Sequence, residues 1–472
     1  LALADGSNGG LAANYTLSGG THQLTVNQRP LNATLSRQYD GTTTSAGSDL
    51  SSFDALQGGE TLTLSGSGTS ASANVANGIA MSSNGNLALV DGTGLASNYS
   101  LNSTVINITE RVLNSSGSKI YDANTDALAA DITLSNLVSG EALNHSGTAT
   151  ISSANAGSYT ITNLAGITIA DGSGGTASNY TLTGGTHNFT TNQRPLNATL
   201  ARQYDGTSNA AGSDLSSFDA LQGGETLTLS GSGSAVNDNV ANGISVSSLG
   251  TLALINGTGL ASNYSLNSAV INITQRVLSS SGSKAYDANT NALAADITLS
   301  NLVSGETLNH SGTASVSSAN AASYTITNLA GITLADNAGL ASNYTLTGGT
   351  HNFTVNPKVI SLSGSRLYDA TTDAVASDLT TISGLVGSET LNLSGTGSVT
   401  NANVASNKTV TLGTLALADN SGLAANYTLS GGTHQLTINQ RPLAATVARQ
   451  YDGTKTAAGS DLSSFDALQG GE

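Results

Sequence analysis

Apolar and polar residues alternate in a stretch that returns all along the chain: Leu31, Ala33, Leu35 and Tyr39 take one parity, while Asn32, Thr34, Ser36 and Gln38 take the other. A period of two marks a half-buried strand, because successive side chains point to opposite faces of a sheet. Downstream, Thr61–Leu64 reads as a second strand, Val75–Met81 as a third and Leu87–Val90 as a fourth. Leu50, Phe53 and Leu56 lie three apart, which predicts one or two helical turns capped by Ser48 and ended by Gly58. A hairpin is expected to close the unit. In Tyr180–Phe189 the pair Gly184-Gly185 separates two alternating stretches, and glycine accepts the positive φ of a primed turn. Asn102-Ser103 takes that place one unit earlier.

The unit is copied. Tyr39-Asp40 returns as Tyr121-Asp122, Tyr204-Asp205, Tyr286-Asp287, Tyr368-Asp369 and Tyr451-Asp452, at spacings of 82, 83, 82, 82 and 83 residues. Length alone would suggest about three domains; the period replaces that with small tandem domains. Residues 1–28 form the C-terminal part of a repeat. Full repeats follow at 29–110, 111–193, 194–275, 276–357 and 358–440, and 441–472 begins another. Repeats one and three share Tyr-Asp-Gly, two and four Tyr-Asp-Ala-Asn, and five has Tyr-Asp-Ala-Thr. Residues 11–31 closely match 423–443 and 29–60 match 441–472, an offset of 412 residues, so a five-repeat block itself recurs. The chain reads as an excerpt of something longer. Linkers are as short as Asn192-Gln193-Arg194-Pro195, which predicts repeats set almost end to end in an extended rod rather than beads on a flexible string.

Composition narrows the function. Charged residues make up 9% of the 472 and the net charge is −16, which disfavours nucleic acid and anionic membrane as partners. No run approaches the roughly 20 apolar residues of a membrane span. Cysteine and tryptophan are absent, so small cores must do without disulfides.

Twelve of the 14 Lys and Arg residues fill two slots: Arg29, Arg111, Arg194, Arg276, Lys358 and Arg441 open each repeat, and Arg37, Lys119, Arg202, Lys284, Arg366 and Arg449 stand two before each Tyr. Such placement predicts fixed partners. Recurring acids are available in Glu60, Glu141, Glu225, Glu306, Glu389 and Glu472, and in Asp49, Asp131, Asp214, Asp296, Asp378 and Asp461. The expected arrangement is an ion pair at the rim of the core, with the Asp after Tyr capping a turn. A Lys–Asn isopeptide crosslink fits poorly, because Arg occupies the same slot in three of the five full repeats.

Acidic turns recur as Asp91-Gly92-Thr93-Gly94, Asp171-Gly172-Ser173-Gly174, Asp336-Asn337 and Asp419-Asn420. Calcium, with its six to eight oxygen ligands, is the one cofactor these turns bring to mind. Asn256 replaces the acid in repeat three, which favours plain turn chemistry. His22, His187, His351 and His434 recur in the closing segment, and His145 and His310 lie elsewhere; single histidines of this kind read as surface residues rather than metal ligands. Sequons such as Asn98-Tyr99-Ser100, Asn107-Ile108-Thr109 and Asn179-Tyr180-Thr181 are numerous in a chain so rich in Asn, Ser and Thr. No catalytic constellation, phosphate loop or zinc motif is present, so no catalytic, cofactor-binding or metal residue is assigned and an enzyme is not expected.

The first strand ending in Tyr39-Asp40-Gly41, the Gly-Gly-Glu, Asn98-Tyr99 and the closing Ile-Asn-Ile-Thr strand resemble the YDG and related MBG (mostly β-grasp) repeats of very large bacterial surface proteins, including filamentous-haemagglutinin-like adhesins. Repeats two, four and five depart from the pattern at the Gly. The resemblance implies a mostly β, β-grasp-like domain with a stalk role outside the bacterial cell, and no catalytic residues. The leading expectation is therefore a structural stalk of a cell-surface adhesin or extracellular filament, whose partners are neighbouring repeats and other copies of the chain. Alternatives are a multivalent glycan- or protein-binding module, a self-assembling fibre joined through strand edges, and, for the fold, a β-solenoid.

Overall fold

The first strand of repeat one, β1 (Arg29–Gln38), is buried at Leu31, Ala33 and Leu35 and carries polar residues between them, as the alternation predicts. The structure is a computed structural model that describes residues 1–466 and 468–472. Repeat one continues with β2 (Thr44–Ala46), β3 (Leu50–Phe53), β4 (Leu62–Ser65), β5 (Ser67–Ser70), β6 (Ala76–Ser83), β7 (Ala88–Asp91) and β8 (Tyr99–Thr109). Six of these form a sheet in the order β2-β5-β6-β8-β1-β3. The central pair, β1 and β8, is parallel and runs from Arg29↔Tyr99 to Gln38↔Thr109 with one shift of register. The other neighbours are antiparallel. A parallel pair needs a long crossover, and here everything between β1 and β8 serves as one. Strands β4 and β7 form a separate antiparallel ribbon that brings Leu62 and Leu64 to the core.

The fold is mostly β, and the solenoid alternative is not needed, because in repeat one the last strand returns beside the first and closes its own sheet. The same parallel pairing recurs in repeat two between Asn114–Ile120 and His187–Asn192, in repeat four between Ser279–Ala285 and His351–Asn356, and in repeat five between Ser361–Leu367 and His434–Asn439.

Two local expectations are corrected. The helical turns expected after Ser48 are a three-residue 3-10 segment, Gly47–Asp49, followed directly by β3. The three-residue spacing of Leu50 and Phe53 comes from a β-bulge: Leu35 faces Leu50 while Thr34 faces Ser52, so Ser51 is supernumerary and both apolar residues turn to the core. The closing hairpin is also not a hairpin. Tyr180–Thr181 and His187–Asn192 both run parallel to the opening segment of repeat two, against Arg111–Val112 and Ser115–Ile120. The Gly184-Gly185 stretch is a loop that leaves this line and rejoins it. Gly184 has φ of 88°, and a Cβ on Gly185 would lie 1.9 Å from the Leu113 carbonyl oxygen. In repeat one, β8 passes the same point with a single shift of register, between Leu31↔Leu101 and Asn32↔Ser103.

Contacts group the chain into two units. One holds Leu1–Asn197, Phe218–Leu229 and Ala253–Asn267; the other holds Ala198–Ser217, Ser230–Leu252 and Ser268–Glu472. In the first, the apolar cluster of Leu35, Tyr39, Ile106 and Ile108 of repeat one continues into Leu113 and Tyr180 of repeat two. In the second, one cluster takes in Tyr286 and Phe353 of repeat four together with Ile360, Tyr427 and Leu436 of repeat five.

Candidate functional site: the junction between repeats

In repeats one to four the Tyr-Asp tyrosine follows the first strand with its ring buried, and its hydroxyl leaves the repeat it belongs to; Tyr368 of repeat five is half-buried, and Tyr451 is exposed. Tyr39 donates to Glu141 Oε1 of repeat two at 2.5 Å, and Tyr180, also of repeat two, donates to Oε2 of the same carboxylate at 2.6 Å. The rings meet edge to face, 5.4 Å apart at 78°, a favoured aromatic geometry. Tyr180 Oη also accepts the Val138 N–H at 3.0 Å. The arrangement repeats as Tyr121–Glu225–Tyr264, Tyr204–Glu306–Tyr344 and Tyr286–Glu389–Tyr427, with ring distances of 5.3–5.5 Å. Tyr368 donates in the same way to Glu472. Burial, with the neighbouring carboxylate second, pushes the Tyr121 and Tyr180 hydroxyls up to about 12. They stay neutral donors at any ordinary pH, as an acceptor-only carboxylate requires.

A second clasp lies beside the first. In repeats two to five the Asn that precedes the second tyrosine is buried, and its amide reaches back into the preceding repeat. Asn179 Oδ1 accepts the Val75 N–H at 2.9 Å, and its Nδ2 donates to Asn74 Oδ1 at 3.0 Å. Asn263 does the same with Ala156 and Asn155, Asn343 with Val240 and Asn239, and Asn426 with Ala321 and Asn320. These four asparagines are 1–2% exposed. The sequon at Asn179 is therefore closed to glycosylation in the folded chain.

The second cation slot makes the expected ion pair, and the Asp after Tyr starts the expected turn, but the paired acid is that same Asp, and the first slot has a different job. The Arg or Lys two before Tyr pairs with the Asp just after it: Arg37 with Asp40, Lys119 with Asp122 at 2.9 Å, Arg202 with Asp205 and Lys284 with Asp287 at 2.8 Å. The recurring glutamates are not its partners, because the tyrosines take them; of the second acid series, among the described residues, only Asp378 comes near, 3.9 Å from Arg366. Asp40 also starts a turn by accepting the Thr42 N–H at 2.9 Å. Burial raises its pKa, but the hydrogen bonds from Thr42 and Arg37 outweigh it and hold the carboxyl below the usual range. The first-slot arginines bind carbonyls. Arg111 Nε donates to Asn136 O at 2.6 Å, and its Nη1 reaches Tyr39 O of the preceding repeat at 3.4 Å; Arg194 and Arg276 make the same step back to Tyr121 and Tyr204. The turn residue after the Asp is left-handed whether or not it is Gly: Gly41 has φ of 76°, and Ala123, Ala288 and Ala370 take 63–66°, a conformation unfavourable for a residue with Cβ by about 1–2 kcal/mol.

The other candidate positions have structural tasks. In each acidic turn one side-chain oxygen accepts the N–H that opens a 3-10 turn: Asp91 from Ala96 at 2.7 Å, Asp171 from Ala177 at 2.7 Å, Asp336 from Ala341 at 2.7 Å and Asp419 from Ala424 at 2.6 Å. Asn256 accepts from Ala261 at 2.7 Å with a neutral amide, so the task needs an acceptor and not a charge. Three histidines placed on the surface from sequence are buried instead. His187, His351 and His434 are 4–5% exposed, and each Nε2 bonds a carbonyl of its own glycine loop (Leu182 O at 2.8 Å for His187), closing that loop over the sheet. Sequence reading missed the Asn clasp and misassigned the glutamates. The available signal was that, in a chain with so few charges, one acid keeps its place in every repeat.

These features define a tandem array of small mostly-β repeats in which the apolar core and a Tyr–Glu–Tyr bridge cross from one repeat to the next. The YDG domain profile matches residues 21–106, 109–187, 192–271, 269–352 and 351–437, and the chain belongs to the YDG domain family. No curated protein matches it. Among solved structures, "The Bacillus anthracis TIE protein" is similar at 9% identity with a TM-score of 0.15, over 62% of this chain and 56% of that one. The present chain thus spans little more than half of that relative, and so distant a likeness carries no functional argument. Among the described residues, no helix is long and apolar enough to cross a membrane.

Proposed function

We propose that this chain is a section of the stalk of a large bacterial surface protein, outside the cell, with 29–110, 111–193, 194–275, 276–357 and 358–440 as its folding units. The observation that carries the reading is the junction: one glutamate holds a tyrosine from each of two successive repeats while a buried asparagine ties the same two repeats. A pair of repeats joined in this way resists bending at the joint, which is what a spacer requires. The tyrosines of a binding platform would have to face solvent, whereas Tyr39, Tyr121, Tyr180, Tyr204, Tyr264 and Tyr344 are at most 5% exposed. Their burial supports a stalk over a multivalent glycan binder. Small-angle scattering of the chain tests the reading. A stiff, elongated particle whose length shrinks when the junction glutamates are replaced by alanine is expected; a compact or freely flexible particle would overturn it.

A further inference from the structure

The first and last strands of a repeat are neighbours and run the same way, so the chain enters at one end of the pair and leaves at the other. In repeat one, Arg29 faces Tyr99 at the entrance and Gln38 faces Thr109 at the exit, where the Tyr39 N–H donates to Thr109 O at 2.9 Å. Only Glu110 separates β8 from Arg111, which begins the pairing of the next repeat. Tension along the chain therefore passes from one strand pair to the next with no compliant linker between them.

We propose that these strand pairs are shear clamps and that the repeats carry tensile load, a function that rests on the stalk reading. Pulling drags β1 toward Arg29 and β8 toward Thr109. The ladder lies along the force, so its hydrogen bonds are strained together and must fail together, whereas a ladder pulled from one end opens bond by bond. Sliding is resisted a second time by packing, because Leu31, Leu35, Ile106 and Ile108 on the two strands are at most 1% exposed and interlock in the core. Repeat two has the same device in two pieces, Arg111–Val112 against Tyr180–Thr181 and Ser115–Ile120 against His187–Asn192, and repeats four and five match it.

Because the chain has no cysteine, pulling points are chosen at will. Force spectroscopy on the full chain would compare handles at Gln28→Cys with Glu110→Cys, which shear repeat one, against Gln38→Cys with Glu110→Cys, which peel it; all three residues are exposed. A several-fold higher rupture force in the shear pair is expected, each event releasing roughly 250–300 Å of chain. Glu110→Cys with Gln193→Cys against Ile120→Cys with Gln193→Cys repeats the comparison in repeat two, should the first set not fold. Equal forces, or a higher force on peeling, would overturn the clamp while leaving the stalk reading intact. Conversely, a flexible particle in scattering with the force difference preserved would sink the stalk reading alone.

Discussion

Tyr39 and Tyr180 belong to different repeats, yet their hydroxyls take the two oxygens of one carboxylate, Glu141. Removing that carboxylate should therefore injure both repeats at once. Glu141→Ala leaves two partly buried hydroxyls without an acceptor, each worth about 1–3 kcal/mol. Amide hydrogen exchange should rise in both 29–110 and 111–193, with repeats four and five unchanged. Glu141→Gln keeps one acceptor and should fall between alanine and wild type. Confinement of the effect to 111–193 would show that the bridge does not couple the repeats.

Tyr204→Ala probes the coupling from the aromatic side. It removes the ring that meets Tyr344 edge to face at 5.5 Å and the hydroxyl that reaches Glu306 at 2.5 Å. Loss of a buried aromatic costs about 3–5 kcal/mol. The penalty should appear in repeat four as well as repeat three, since the partner ring Tyr344 and the acceptor Glu306 both lie in repeat four. Tyr204→Phe, which keeps the ring, should retain most of the stability, and exchange rates in 276–357 would separate the two variants.

Asn179→Ala should open the second clasp. The side chain is 1% exposed and supplies both partners for the Asn74–Val75 segment of the preceding repeat. The half-buried Val75 N–H would lose its acceptor, at about 1–3 kcal/mol, and should exchange faster while the strand ladder of repeat two stays protected. An unchanged rate at Val75 would mean that water replaces the amide without loss.

The strand pattern was legible because β1 buries one face: Leu31, Ala33 and Leu35 could not sit otherwise. The bulge at Ser51 was not, because three-residue spacing is also the mark of a helix, and only pairing with β1 distinguishes them. The same holds for Gly184-Gly185. Paired glycines announce positive φ, but whether the chain reverses or resumes its course depends on a partner strand about 70 residues earlier in sequence. The junction was half legible. The Tyr, Glu and Asn positions all recur in the sequence, but their partners lie in the adjacent repeat, so a reading confined to one repeat assigned the glutamates to the cations. The cations two before each Tyr are satisfied locally, three residues away, at Asp40 and its counterparts.

The acidic turns give a test that separates an acceptor from a metal site. Asn256 performs in repeat three what Asp91, Asp171, Asp336 and Asp419 perform in the others. Asp171→Asn should therefore leave the melting temperature nearly unchanged, whereas Asp171→Ala should lower it, because loss of the cap costs about 1 kcal/mol of stability. Added calcium or a chelator should shift neither variant nor wild type. A melting temperature that rises with calcium and loses that rise in Asp171→Asn would show that the turns bind the ion.

Alkaline pH should loosen the junctions before anything else in the fold. Burial, reinforced by the adjoining carboxylates, raises Tyr121, Tyr180 and Tyr427 to about 12, against about 10 for a tyrosine in the unfolded chain. Between those values the folded state holds protons that the unfolded state has released, so stability falls as pH rises. The contribution is present in full below pH of about 10 and is lost progressively toward about 12. Denaturation midpoints should stay level up to the lower limit and then decline, in step with the tyrosinate absorbance. Tyr180→Phe removes one titrating group from the first junction, so exchange at Val75 and Val138 should lose part of its alkaline acceleration. The same acceleration in Tyr180→Phe as in wild type would show that this hydroxyl does not hold the junction closed.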